Sequence, residues 1–249
     1  MPYFELPSGV VDQRLAVAAA IVVAAGLMRG FAGFGSAMAM SPVFAILYGP
    51  AQMVVQIALM ELLVAAQLIP GALKDVEWRF VGPMGLAAVL AMPFGAMVLF
   101  WADPEILTRA VAVILLVFVA LLLTGWRYRG RKRLPITVGL GAISGSMMVT
   151  TGMGGPPVLV YMLSGPDQAA TNRANIIIYY ATTGIFLLGV MVWNGLMEPA
   201  VLWRGLLLTP PFWLATYIGQ RLFRQSGEQL YRRIAFLFLA VIGLYALLR

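Results

Sequence analysis

The chain has 249 residues, 61% of them hydrophobic and 11% charged, with 17 Lys+Arg against 10 Asp+Glu, a formal net charge of +7, no Cys and no His. A soluble domain is about one-quarter charged and cannot hide so much apolar surface in one core. The missing Cys and His exclude thiolate chemistry, disulfides, haem, imidazole metal ligands and His-based triads, so no cofactor or metal is expected.

Eight apolar segments follow along the chain, at about 13–48, 52–73, 80–101, 104–126, 134–163, 172–194, 200–220 and 229–248. The charge-free runs Gly30–Met60, Phe80–Ala102, Leu134–Pro166 and Ala174–Met197 each exceed the ~20 residues that a bilayer-spanning helix needs. No stretch alternates in the manner of a membrane β-barrel. The pattern predicts an all-α polytopic protein of the cell (inner) membrane, with the lipid bilayer as its surroundings. Met1–Arg14 carries Glu5 and Asp12 and lacks a basic n-region, so it does not read as a signal peptide. No linker is long enough for a soluble domain, which makes 1–249 a single membrane domain. The basic residues flank apolar segments, as cytoplasmic loop anchors do, and this placement argues against nucleic acid as a partner.

Segment one is interrupted by Arg29-Gly30-Phe31-Ala32-Gly33-Phe34-Gly35-Ser36, with Pro42 beyond. Segment two carries Glu61 at its centre. An ionisable residue there is costly, and is read as a coupling group, a proton carrier or cation ligand, or as a structural partner for Arg29 or Arg173. A loop with Asp103 and Glu105 follows, then the basic run Arg127–Arg133. Segment five is interrupted in turn by Thr150-Thr151-Gly152-Met153-Gly154-Gly155-Pro156-Pro157. Segment six opens with Asn172-Arg173-Ala174-Asn175, where an arginine fork flanked by amide donors suits an oxyanion. Gln56, Tyr179 and Tyr180 are further candidates to line the same cavity, and the tryptophans near segment ends fit an aromatic belt.

The two interruptions match. Gly33-Phe34-Gly35-Ser36 aligns with Gly152-Met153-Gly154-Gly155, and Gly49-Pro50-Ala51-Gln52 with Gly165-Pro166-Asp167-Gln168. The chain therefore divides into tandem halves, about 13–126 and 134–248, joined by the basic loop 127–133. Segments one and five, at roughly thirty residues and ~45 Å of helix, are long for one crossing and short for two. A re-entrant hairpin fits. It also puts the loop with Arg221, Arg224, Arg232 and Arg233 on the cytoplasmic side with Arg127–Arg133, Lys74 and Arg79, as the positive-inside rule prefers. Each half is then a hairpin plus three crossings, and an odd number inverts the second half relative to the first. Both chain ends come to lie outside. Eight plain crossings with cytoplasmic ends are the competing topology.

Broken helix at membrane depth must be satisfied internally or line a polar cavity. The interruptions at Gly33, Gly35 and Ser36 and at Thr151, Gly152, Gly154 and Gly155 place free N–H groups at half-helix N-termini, which favour an anion. Ser36, Thr150 and Thr151 offer hydroxyls. Asn172, Arg173 and Asn175 complete the candidate site. The alternative is that the glycines serve tight helix packing.

These residues resemble the sulfite exporter TauE/SafE transporters. The resemblance spans nearly the whole chain and is carried by Gly30-Phe31-Ala32-Gly33-Phe34-Gly35 with Pro42, and by Gly152-Met153-Gly154-Gly155-Pro156-Pro157 with the Asn172–Asn175 stretch. Phe34 and Ser36 stand where glycine is commoner in that family. The resemblance implies transport of sulfite, sulfonates or related small organosulfur or carboxylate anions. No Gly-x4-Gly-Lys-Ser/Thr motif is present, so a secondary transporter is expected, with an anion channel as the alternative. Paired intramembrane carboxylates, as an enzyme of this composition would need, are missing. A membrane scaffold leaves the glycine breaks without a purpose. A homodimer is left open.

Overall fold

The computed structural model describes residues 12–32, 35–66, 68–124, 128, 133–154, 156–162, 169–223 and 228–248. Gly33, Gly155, the basic residues at 127, 129, 131 and 132, and the 165–168 match lie outside them. Every regular element among the described residues is an α-helix. Segment one becomes α1 (Gln13–Ala32) and α2 (Ser36–Tyr48), and segment two becomes α3 (Pro50–Ala66) and the short α4 (Ile69–Ala72). Segments three and four are α5 (Trp78–Trp101) and α6 (Pro104–Leu123). Segment five becomes α7 (Leu134–Thr151) and α8 (Pro156–Met162), followed by α9 (Ala169–Trp193), α10 (Pro199–Phe223) and α11 (Glu228–Leu248). Proline opens α3, α6, α8 and α10, where its missing N–H would be unpaired anyway. Pro70 stops α3, because its ring would meet the Ala66 carbonyl.

The breaks fall where the glycines predict, but past the middle of their segments. Gly35 (φ 95°) precedes the first residue of α2 and Gly152 (φ 67°) follows the last residue of α7, both in a conformation that only glycine adopts freely. α1 and α7 thereby reach a crossing's length, where two half-membrane arms were expected. With α5, α6 and α9 they make five helices long and apolar enough to span a bilayer, while α2, α3 and Leu237–Leu248 of α11 are shorter apolar stretches. The chain is a multi-pass membrane protein.

Both broken segments fold back on themselves. Arg14 near the start of α1 donates from Nη1 to the Leu47 carbonyl near the end of α2, at 3.1 Å. Thr137 near the start of α7 and Tyr161 near the end of α8 share a hydroxyl hydrogen bond of 3.1 Å. One end of the bundle gathers Arg14, Tyr48, Gln52, Glu105, Arg204 and Ala246 around a cavity of about 550 Å³. At the other end the ring of Tyr161 stacks on Phe80 (5.7 Å) and meets Tyr128 (5.2 Å), and Asn175 accepts from the Glu77 N–H at 2.8 Å.

The most extensive helix pairs are α5 with α7 and α1 with α10, and α3 and α9 pack together. Large apolar side chains point outward: Phe94, Ile106 and Leu237 are about two-thirds exposed, and Trp101 and Trp193, at helix ends, more so. Lipid is as apolar as these side chains, so the helices are held by close contact and not by the hydrophobic effect. A Cβ on Gly30 would stand 2.0 Å from the Thr216 carbonyl oxygen, and one on Gly145 2.1 Å from that of Ala88. Glycine is what allows those two backbones to touch.

Candidate functional site

Each break builds its own polar cluster. At the first, Arg29 in the last turn of α1 forms an ion pair with Glu61 of α3. Ser36, opening α2, donates to the other oxygen of that carboxylate and accepts from Arg29 Nη1 at 3.4 Å. Arg29 lies over the Phe212 ring of α10, 5.7 Å from its centroid. Ser36 is 2% exposed, and the Arg29 and Glu61 side chains 15% and 23%. The buried hydroxyl of Tyr180 on α9 has no hydrogen-bond partner.

At the second break, Gly152 ends α7 and donates its N–H to the Met148 carbonyl at 3.1 Å. Thr151 donates to the Met147 carbonyl and accepts from the Met153 N–H. Thr150 is likewise turned back onto its own helix. The Gly154 carbonyl accepts from Ser144, whose hydroxyl accepts in turn from Tyr179 of α9 at 2.8 Å. Gly154 is packed so tightly that a Cβ would stand 2.6 Å from that of Met148.

The two breaks meet across α3. Gly152 faces Ser41 of α2 and Met53 and Ile57 of α3, whereas Ser36 bonds to Glu61. Those contact points are four residues apart on α3, ~6 Å along its axis. On α9 Tyr179 reaches the second break through Ser144, and its ring centroid lies 5.4 Å from that of Tyr180. One residue before Ile57, α3 carries Gln56, fully buried with both amide atoms unpartnered. A buried unsatisfied amide is uncommon and asks for a water or a ligand.

The sequence candidates thus divide. Gly35, Ser36, Gly152 and Gly154 stand at the breaks, with Thr151 beside them but committed to backbone, and Gly33 and Gly155 lie outside the described residues. Glu61 is partnered by Arg29, as the structural alternative expected. Asn172 is buried with an unpartnered Oδ1, but Asn175 is spent on the backbone N–H and carboxylate of Glu77. Arg173 is exposed and stands six residues, ~9 Å, along α9 from Tyr179. The arginine at the breaks is Arg29. Ser144, Ser41 and Phe212 were not singled out from the sequence. The signal for Ser144 was there, a hydroxyl in a charge-free segment between Gly141 and Gly145, where polar groups carry structure or function.

The chain matches the family described as Sulfite exporter TauE/SafE over residues 18–246. It is 24% identical over 196 residues to the probable sulfite/organosulfonate exporter TauE of Cupriavidus necator, covering 75% of each chain. No solved structure matches. A match over that much of the chain reaches past the glycine motifs to all eleven helices, and the family is one of transporters and not of enzymes. The protein belongs to the sulfite exporter TauE/SafE family.

Proposed function

We propose that the protein is a secondary transporter that carries a small organosulfur anion, sulfite or an organosulfonate, across the cytoplasmic membrane, binding it between the two helix breaks. The observation that carries this reading is the convergence of both breaks on the middle of α3, with Ser36 at Glu61 and Gly152 at Ile57. Unwound backbone at that depth is tolerated where it serves a ligand or a polar cavity. The relative's description as a probable sulfite/organosulfonate exporter supports the substrate class. Gly35, Ser36, Gly152 and Gly154 form the core of the proposed site, with Asn172 contributing an amide and Glu61 coupling transport to an ion.

The reading includes two inverted repeats. The first hairpin opens where Arg14 meets Leu47, beside the 550 Å³ cavity. The second opens where Thr137 meets Tyr161, beside Phe80 and Tyr128. α5 runs between these places, from Phe80 to the helix end adjoining Glu105, so the openings lie at opposite ends. An exchange of partners between the halves supports a two-fold relation: α1 pairs with α10 of the second half, and α7 with α5 of the first.

The test is counterflow in liposomes holding the purified protein. Efflux of labelled ethanesulfonate or sulfite is expected to accelerate when unlabelled anion is supplied on the opposite side. Anion flux without such acceleration identifies a channel, and the absence of anion flux rejects the reading.

A further inference from the structure

The ion pair at the first break has a consequence for how an anion enters. Arg29 is the cation that stands at the first break, and a carboxylate already occupies it. Ser36 donates to that same carboxylate. These are two donors around one position: a guanidinium fork and a serine hydroxyl. A sulfonate presents three oxygens, all acceptors, in a compact trigonal head. The guanidinium fork is suited to two of them.

We propose that Arg29 is the cationic ligand of the transported anion, and that the Glu61 carboxylate holds its place in the empty protein and must take up a proton to release it. This rests on the reading of the protein as an anion transporter and adds the residue that binds and the rule that couples.

Charge bookkeeping carries the inference. The empty cluster is neutral, Arg29⁺ with Glu61⁻. Adding an anion alone leaves an uncompensated negative charge beside the apolar walls of Phe212 and Met28, which is strongly disfavoured. Protonating Glu61 as the anion binds gives Arg29⁺, a neutral acid and the anion, and the cluster is neutral again. The protonated carboxyl becomes a donor and frees the Ser36 hydroxyl to turn to the anion. One proton therefore enters with each anion.

Among the described residues, Arg29 is the charged group bonded to Glu61. Of the elements packed against α3, α9 carries Tyr180 and Tyr179, the latter bonded to Ser144, and Arg173 is exposed at its start. α10 supplies Phe212, with Arg204 and Arg221 toward its two ends. α7 has no titratable residue, Tyr48 is at the far end of α2, and α5 and α6 carry Arg79, Glu105 and Arg109 in their first turns or next to them.

Ethanesulfonate is the probe, because its charge does not change between about pH 5 and pH 9. Its affinity for the purified full chain in detergent is expected to fall tenfold per pH unit above the titration of Glu61. In weakly buffered solution one proton should be taken up per anion bound. Glu61→Gln is expected to bind with the low-pH affinity at every pH and to take up no proton. Arg29→Gln should bind at least tenfold more weakly at low pH. The proton-uptake measurement needs no variant, so it decides even if a substituted protein fails to fold. Wild-type binding that is independent of pH and releases or takes up no proton overturns this inference and leaves the transporter reading standing. A folded Glu61→Gln that keeps the pH slope also overturns it. Wild type that binds no ethanesulfonate at any pH overturns both.

Discussion

Asn175 shows how a residue type with two readings is decided by its neighbours. In sequence it sits two positions from Arg173 and reads as a donor to an oxyanion. In the structure its side-chain oxygen accepts from the Glu77 N–H and its amide nitrogen lies 3.4 Å from the Glu77 carboxylate, which fixes the start of α5 against α9. Asn175→Leu is expected to leave that buried N–H unsatisfied, a loss of about 1–3 kcal/mol. A lower thermal midpoint by tryptophan fluorescence, with unchanged sulfonate affinity per folded molecule, is the expected result. Arg173→Ala should change neither quantity, since the side chain is exposed and removed from both breaks. A sizeable loss of affinity in Arg173→Ala would return that arginine to the site.

At the scale of helices, the glycines do two different jobs, and composition alone does not separate them. Gly35 and Gly152 hold the positive φ at which a helix stops or starts. Gly30 and Gly145 allow backbones to touch. Gly145→Ala is expected to force α5 from α7, costing about 1–3 kcal/mol as an overpacked contact does. Gly139→Ala, on the same helix with nothing within 4 Å of the added Cβ, should be neutral or stabilising by up to about 1 kcal/mol. Equal thermal midpoints for the two variants would contradict the close approach. The same geometry limits what bulk at the tips can teach. Gly35→Val meets a backbone conformation that valine avoids, and Gly154→Val collides with Met148, so either can fail by misfolding and not by blocking an anion.

For the whole molecule, loop charge and helix packing point the same way. The cavity end holds the start of α1, the Gly49-Pro50 turn, the Pro104–Glu105 start of α6 and the end of α11. The opposite end holds Glu77, Phe80 and Tyr128, adjoining Lys74 and Arg79, the basic residues that the positive-inside rule assigns to the cytoplasm. Because the chain has no native Cys, single cysteines report cleanly. Cysteines at Asp103 and Asn194 are expected to react with an impermeant thiol reagent in intact cells, and one at Lys74 only after permeabilisation. Labelling of all three from outside would reject this orientation.

Composition by itself determined that the chain is a helical membrane protein, because 61% hydrophobic residues without strand alternation leave no other solution. Glycine and proline placed the helix ends, since those two residues act through local backbone sterics that need no partner. The matched motifs at Gly35 and Gly154 are what lets the sequence be read as two tandem halves. Tertiary structure decided which side chains meet. Glu61, Arg29 and Ser36 come from three different helices, and the pairing of Glu61 with Arg29 and not with Arg173 depends on α1 ending beside the middle of α3. The off-centre position of the breaks, the chain from Tyr179 through Ser144 to Gly154 and the unpartnered Gln56 are likewise long-range facts. They arise from helices brought together by close backbone contact in a solvent that does not drive their association, and such contact follows shape, which no single segment carries.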